Sequence, residues 1–334
     1  MGSAKKTAMV IGITGGIGGE VARTLLRRGW KIRALSRRKT LDESHGFAPG
    51  DVQLVHGDAM NRTDVIAAAA GCAVIVHGAN PPGYQNWGAL ALPMLRNTIA
   101  AASSSGARIA FPGTIYNFGP DAGHLLHEAS PQRPMTRKGR IRVEMEDELR
   151  RAAQTGVQTT IVRAGDFFGP RAGNSWFSQG LVKPGAAVRK IMYPGPLQVG
   201  HAWAYLPDVA EVFAQLIERD TKQAFEVFHF RGHWLSRGAQ MAEEICRIAG
   251  APRSSIRALP WWAIQALSPF VTLFREMSEM RYLWQVPLEL DNRKLLATLG
   301  TEAHTPLELA VRSTLQALGC LREDVFVGSA RIPS

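Results

Sequence analysis

The chain has 334 residues, 46% apolar and 20% charged, with 33 glycines and 19 prolines. These values exclude a collagen-like or disordered chain and allow one large domain or two fused lobes. Three distant cysteines, Cys72, Cys246 and Cys320, form no CxxC pair, so neither a disulfide framework nor a zinc ribbon is expected. The net charge of +11 sits in the first half: residues 1–165 hold 21 basic and 12 acidic side chains, residues 166–334 hold 18 and 16. Nucleic acid, an anionic surface, a phosphate-bearing small molecule or an arginine-rich solvated surface would each account for it.

Thr7–Ile13 is a short apolar run that breaks into glycines and then into a helical pattern, Glu20–Arg28. Lys31–Ser36, Val52–Val55 and Ala73–His77 read as strands, with a helix at Thr63–Ala70 between the last two. Leu90–Ser103 reads as a helix, Arg108–Phe111 as a strand, Arg140–Gln154 as a helix and Gln158–Arg163 as a β-branched strand. Alternating strands and helices with short links predict βαβ units and a doubly wound parallel sheet, with ligands at the carboxyl ends of the strands. After Arg163 the rhythm fails: residues 166–205 are rich in Gly, Pro and aromatics. A helix at Pro207–Glu218 and a strand at Phe225–Phe230 follow, then a helix at Ser236–Ala249 and the Trp-rich stretch 259–286. Two interleaved lobes result: a Rossmann-type α/β domain over 1–165, to which 206–230 return, and a smaller substrate-binding lobe from 166–205 and 231–334.

The first strand runs into Gly12-Ile13-Thr14-Gly15-Gly16-Ile17-Gly18-Gly19 and straight into a helix, a GxxGxxG spacing. Small residues let the backbone approach a pyrophosphate, and the helix offers free N–H groups and a positive dipole end. At the end of the second strand an NAD site usually places a carboxylate on the ribose hydroxyls. This chain has Ser36-Arg37-Arg38-Lys39 instead, which suits the 2′-phosphate of NADP(H) better than NAD, or else is an exposed basic turn.

With these residues in view, the chain resembles an extended short-chain dehydrogenase/reductase of the NAD-dependent epimerase/dehydratase kind. The resemblance implies cofactor contacts from Gly12, Thr14, Gly15, Gly16, Ile17 and Gly18, from Ser36, Arg37 and Arg38, and from Asp58 and Ala59 near the adenine. It adds His77, Gly78 and Ala79 at the fourth strand, Asn97 as the helix residue that props the active site, and Ala164 beside the nicotinamide. It puts Thr114, in Phe111–Gly119, in the role of the catalytic Ser/Thr, and Asp166, in Arg163–Pro170, where an Asn usually meets substrate.

The family's YxxxK motif is missing. In that motif the Tyr hydroxyl exchanges the substrate proton, and the Lys lowers its pKa and binds ribose. The matching pentad here is Thr136-Arg137-Lys138-Gly139-Arg140, with Arg140 left to bind ribose, or Lys138 if the register is displaced by two. Threonine has no proton to exchange near neutral pH, so Tyr116, two residues after Thr114, is the surrogate acid; the alternative is an aromatic packed under the loop.

Asn80, Tyr84, Asp166, Phe167, His201 and Trp203 are the substrate-side candidates, apolar and aromatic walls with a few polar groups. His201 also reads as a satisfied structural histidine, and His124 and His127 as exposed. No His/Asp/Glu cluster has metal-ligand spacing, so no metal is expected. The Trp-rich 259–286 stretch reads as helices packed on the second lobe, with peripheral membrane contact or a dimer face as alternatives. No apolar run is long enough to span a bilayer and no secretory core follows Met1–Thr7, so the expectation is a cytoplasmic protein without stable membrane insertion.

Three functions compete. The first is an NADP-dependent oxidoreductase or epimerase moving hydride to or from a secondary alcohol or carbonyl of a small-molecule substrate. The second is an NADP(H)-binding sensor that has lost catalysis. The third, RNA binding, lacks a basic–aromatic stacking platform, so no nucleic-acid partner is expected. A homodimer through segments 88–104 and 140–154 is possible by resemblance.

Overall fold

The computed structural model describes residues 6–81, 87–173, 175–253 and 256–321. In chain order its strands and helices are β1 (Thr7–Ile11), α1 (Gly16–Arg27), β2 (Lys31–Ser36), β3 (Val52–His56), α2 (Arg62–Ala69), β4 (Val74–His77), α3 (Trp87–Ser105), β5 (Arg108–Thr114), β6 (Leu125–Leu126), α4 (Arg137–Gln154) and β7 (Thr159–Ala164). There follow β8 (Asp166–Phe168), β9 (Ile191–Tyr193), β10 (His201–Tyr205), α5 (Leu206–Glu218), β11 (Phe225–His229), β12 (His233–Leu235), α6 (Ala239–Ala249), β13 (Ile256–Ala258), α7 (Trp261–Leu267), α8 (Thr272–Glu279), β14 (Glu289–Leu290), α9 (Arg293–Leu299) and α10 (Leu307–Ala317).

Seven strands form one sheet in the order β11-β7-β5-β4-β1-β2-β3. Every pairing in it is parallel. A parallel sheet must be covered on both faces, which is why β1 and β4 read as unbroken apolar runs. One face packs on α1 and α5 through Val21, Leu25, Val209 and Phe213, and the other on α2, α3 and α4 through Val65, Leu95, Met145 and Leu149. Strand order reverses between β1 and β4, the switch point where this architecture opens a crevice. The doubly wound sheet expected from the alternating pattern is therefore present.

The second lobe has its own core. It holds the small sheet β12-β10-β8 together with Phe168, Phe177, Tyr193, Trp203, Trp284 and one face of α6 and α10. Leu295 of α9 packs instead in the core beside α1 and α5, and Lys294 donates to the carbonyl of Val227 in β11. No helix among the described residues is long and apolar enough to cross a membrane.

Two element starts differ from the periodicity reading for the same reason. α1 begins at Gly16 and α4 at Arg137, each earlier than the first apolar-periodic residue. Thr136 is the N-cap of α4, its hydroxyl accepting the Gly139 N–H at 3.0 Å. The buried side of α4 then reads Lys138, Ile141, Arg142, Met145, Glu146, Leu149, a helical stripe that carries three charged residues.

Glu146 and Lys138 are ion-paired. Arg163, at 0% exposure, forks onto Glu146 (Nε–Oε1 3.0 Å, Nη2–Oε2 2.5 Å) and donates from Nη1 to His229 Nε2 at 3.1 Å. A guanidinium only donates, so His229 accepts at Nε2 and gives its Nδ1 proton to the Leu126 carbonyl. Burial and the neighbouring Arg163 push the His229 pKa down to about 3, so the ring is neutral at pH 7. His77 is likewise pushed down to about 3, by burial first and Arg142 second.

Removing one partner of a buried ion pair costs about 3–5 kcal/mol, because the other charge is left without compensation. Glu146→Ala should lower unfolding free energy by about that amount in urea titrations; a loss within measurement error would contradict the pairing. Both buried histidines titrate below an exposed histidine, so the unfolded chain takes up the proton first. The native advantage is complete above about pH 6.5 and shrinks as pH falls toward 3. Melting temperature should therefore be lower near pH 5 than near pH 7.5, and an equal or higher value near pH 5 would contradict it.

Candidate active site

Three backbone segments meet at the switch point with no room for side chains. Gly12 has φ +86°, and a Cβ there would stand 2.6 Å from the Gly78 oxygen. A Cβ at Gly18 would stand 2.4 Å from the Gly12 oxygen, and one at Gly78 2.8 Å from the Gly18 Cα. The first turn of α1 is thereby drawn against the ends of β1 and β4. Its N-terminus has no side-chain cap and no acidic residue, so N–H groups and a positive dipole end face the crevice. Thr14 and Gly15 are exposed at the crest of the loop.

The loop contributes to two openings. One, of about 630 Å³, is lined by Ile13, Thr14, Gly15, Arg23, His45 and Arg171, among others, and falls in the size range of cofactor clefts. The other is lined by Ile17, His77, Gly78, Ala79, Asn80, Trp87, Pro112, Gly113, Thr114, Tyr116, Arg142 and Phe167. It draws together six residues expected from the sequence to touch cofactor or substrate, and both proposed loop catalysts.

Thr114 ends β5 and caps the short helical turn Ile115–Asn117, its hydroxyl oxygen accepting the Tyr116 N–H at 3.2 Å. The same hydroxyl lies 3.4 Å from Asn117 Oδ1. Asn117 donates to Gln132, and Gln132 to Glu146, so Thr114 is tied into the Arg163–Glu146 network. Ala164, at the end of β7, pairs beside Thr114.

The helix register corrects the pentad. Thr136 is the N-cap and not a helical face position, and Arg140 is exposed, its Nη1 bonded to the Met135 carbonyl. Arg142 enters the opening instead. Its Nη1 donates to the Pro112 carbonyl at 3.2 Å and its Nη2 to Asn80 Oδ1 at 2.9 Å, with the guanidinium 5.0 Å from the Trp87 ring and 5.6 Å from that of Phe111. Lys138, one turn earlier on the same stripe, is buried; its N–H donates to Glu279, whose carboxylate is 4.0 Å from its Nζ. Arg142 escaped the sequence reading because the motif was matched to Thr136–Arg140, with the N-cap residue Thr136 taken for a helical face position. The signal was there: an N-cap threonine, then charges at the i, i+4 and i+8 positions of an apolar stripe.

Other candidates divide. Ser36, Arg37 and Arg38 close β2, which pairs with β1, and Arg37, Arg38 and Lys39 are exposed; Ser36 Oγ accepts the Arg38 N–H. Asp58 follows β3 and folds back on the Met60 N–H. Asn97 donates to the Ala59 carbonyl at 2.9 Å, so it braces the loop after β3 and not the catalytic end. On the substrate side, Asn80 and Phe167 line the opening. Asp166 and His201 are buried and bonded to each other (2.8 Å), with the His201 ring stacked 3.9 Å from that of Trp284. Trp203 is fully buried in the second core. These three support the lobe and do not wall the opening, because aromatic packing turned them inward. Tyr84 lies outside the described residues.

The donor set fits a nicotinamide dinucleotide: a glycine cradle that any Cβ would fill, a free helix N-terminus for phosphates, and a half-buried hydroxyl and a cation at the far end. Arg142→Ala should weaken dinucleotide binding about tenfold, ~1.4 kcal/mol, while Arg140→Ala stays within about twofold. Calorimetric titration reads both, and equal losses would contradict the register.

Residues 8–229 match the NAD dependent epimerase/dehydratase family. No functionally curated protein matches the chain in sequence. A UDP-glucose 4-epimerase from Bifidobacterium longum, solved with NAD+ and UDP, superposes with TM-score 0.73 at 14% identity, covering 93% of this chain and 98% of its own. A dTDP-glucose 4,6-dehydratase from Streptomyces venezuelae, solved with NAD, gives 0.72 at 17% identity, with 93% and 96% covered. A putative epimerase from Burkholderia cenocepacia gives 0.71 at 21% identity, with 95% and 99% covered. At these identities the likeness is one of fold, and the sequence match carries the family. The chain belongs to the NAD-dependent epimerase/dehydratase family, and it is an enzyme that uses a nicotinamide dinucleotide to move hydride to or from a secondary alcohol or carbonyl.

Proposed function

We propose that this enzyme takes NADP(H) in preference to NAD(H) and acts on a nucleotide-linked sugar or a similar small hydroxy compound. The observation that carries the cofactor choice is the exposed Ser36–Lys39 turn at the end of β2, which holds three cations and no carboxylate of its own, the exposed Asp42 standing 3.8 Å from Arg38 Nη1. A 2′-phosphate there is matched by Arg37 and Arg38, whereas bare ribose hydroxyls gain nothing from them. The substrate class is supported by the solved relatives with UDP or dTDP-sugar chemistry.

A bound nicotinamide supplies the hydride acceptor or donor. The chain's own residues do the rest. Gly16 and Ile17 present N–H groups to the phosphates. The Thr114 hydroxyl, held half-buried by the Tyr116 N–H and the Asn117 amide, hydrogen-bonds the substrate oxygen. When hydride leaves the substrate carbon, the hydroxyl proton passes to the Tyr116 phenolate, and in the reverse direction the phenol returns it. Arg142 would bind the nicotinamide ribose and keeps a positive charge in the opening. Lys138 and Arg142 stand four residues apart on the stripe, so the missing Tyr and Lys are met by two cations, and the phenol comes from the β5 loop.

The cytoplasmic reading rests on three unpaired cysteines. The homodimer reading rests on the α3–α4 pair, whose outer side carries the exposed Arg96 bonded to Glu148.

Two measurements test this function. Arg37→Ala/Arg38→Ala should weaken NADP binding about a hundredfold, ~2.7 kcal/mol, and NAD binding less than threefold; equal losses would remove the 2′-phosphate assignment. Tyr116→Phe should lower kcat by about 10²–10⁴ with dinucleotide affinity unchanged. Unaltered turnover would remove Tyr116 from the mechanism, and tight binding without turnover in the parent protein would favour the sensor reading.

A further inference from the structure

The Trp-rich stretch forms a helical hairpin, α7 and α8, only one side of which is covered. Ile264 and Met280 are buried, Trp261 donates its indole N–H to the Pro194 carbonyl at 2.6 Å, and Arg281 stacks on the Trp261 ring. The other side is bare. Trp262, in the first turn of α7, is 77% exposed, and Leu267, Phe270 (85%) and Val271 are exposed at the turn between the helices. Large apolar side chains exposed together in this way mark an interaction surface. The turn is also internally bonded: Ser268 N–H donates to Gln265, and both Phe270 and Val271 N–H to Leu267. The tip can thus leave water without stranding those backbone donors.

Charge identifies the occupant. The sequence has no charged residue from Ala258 to Phe274, and the run is bounded by Arg257 and Arg275. β13, which carries Arg257, pairs with β9 directly after the exposed Arg189 and Lys190. Arg253 is exposed just before β13. Among the described residues none of these five cations has an ion-pair partner, and Glu279, on the hairpin's far end, is turned inward onto Lys138. An exposed apolar aromatic run flanked in sequence by Arg257 and Arg275, the latter followed by Glu276, is the pattern of a segment that sits at the headgroup level of an anionic bilayer. A second copy of this chain fits worse, because a two-fold contact would bring the two pairs of flanking arginines together.

We infer that the α7–α8 hairpin docks this enzyme on anionic lipid surfaces, with Trp262, Leu267, Phe270 and Val271 in the interface and Arg257 and Arg275 on the headgroups. The test is flotation of the full-length protein with vesicles of phosphatidylcholine containing about 30% phosphatidylglycerol, and with phosphatidylcholine alone. The protein should float with the anionic vesicles and do so less at high salt. Trp262→Ser/Phe270→Ser should float about tenfold less, and Arg257→Ser/Arg275→Ser should lose the preference for anionic vesicles. Both pairs are exposed, so cooperative melting and dinucleotide binding should match the parent protein, which separates loss of docking from loss of fold. Absence of flotation with the anionic vesicles, or equal flotation by the Trp262/Phe270 variant, would overturn the inference. A parent dimer that this variant makes monomeric, with no flotation by either, would assign the face to a second copy instead.

Discussion

The contact of Gly12, Gly18 and Gly78 sets the geometry on which the site depends. Backbone from β1, α1 and β4 meets there closer than any Cβ permits, which fixes the first turn of α1 over the sheet's switch point. The crevice, its free N–H groups and the alignment of Ile17 with Thr114 across it all follow from that approach. Side chains then refine what backbone has placed: the walls of the catalytic opening come from the ends of β4, β5 and β8 and from one face of α4.

A second constraint runs through the protein's interior. Arg163, Glu146, His229, Gln132 and Asn117 form a buried chain of directed hydrogen bonds from Leu126 to Thr114. Buried polar chains are costly when incomplete, so each member holds the next in one orientation. One consequence is local: the catalytic threonine is positioned from behind by α4 and β7 and not by its own loop alone. The other is structural, since the Leu126 carbonyl and the Glu128 carboxylate reach β11 from the segment that pairs with β14.

Much of this was legible in the amino-acid sequence. Alternating apolar runs and helical patterns gave the sheet, and glycine spacing after the first strand gave the cofactor end, because both depend on local sterics. Arg142 was not read, since starting α4 at Arg140 overlooked the Thr136 cap and the motif was matched to Thr136–Arg140, two residues before Lys138 and Arg142. His201 and Trp203 were read as mouth residues because they follow a Pro/Gly-rich loop. In the fold Trp284, distant in sequence, stacks on His201 and closes over both. Such long-range aromatic packing leaves no periodic mark, whereas a charged residue on an apolar helical stripe does.

The central claim is that α4 sends Arg142 and not Arg140 to the cofactor, with Thr114 and Tyr116 facing it. A crystal structure of the protein grown with NADP+ tests this most directly. The account predicts phosphates at the Gly16 and Ile17 N–H groups, the 2′-phosphate at Arg37 and Arg38, and nicotinamide ribose in contact with Arg142 while Arg140 stays in solvent. A dinucleotide whose ribose is held by Arg140, or whose nicotinamide lies away from Thr114 and Tyr116, would contradict it.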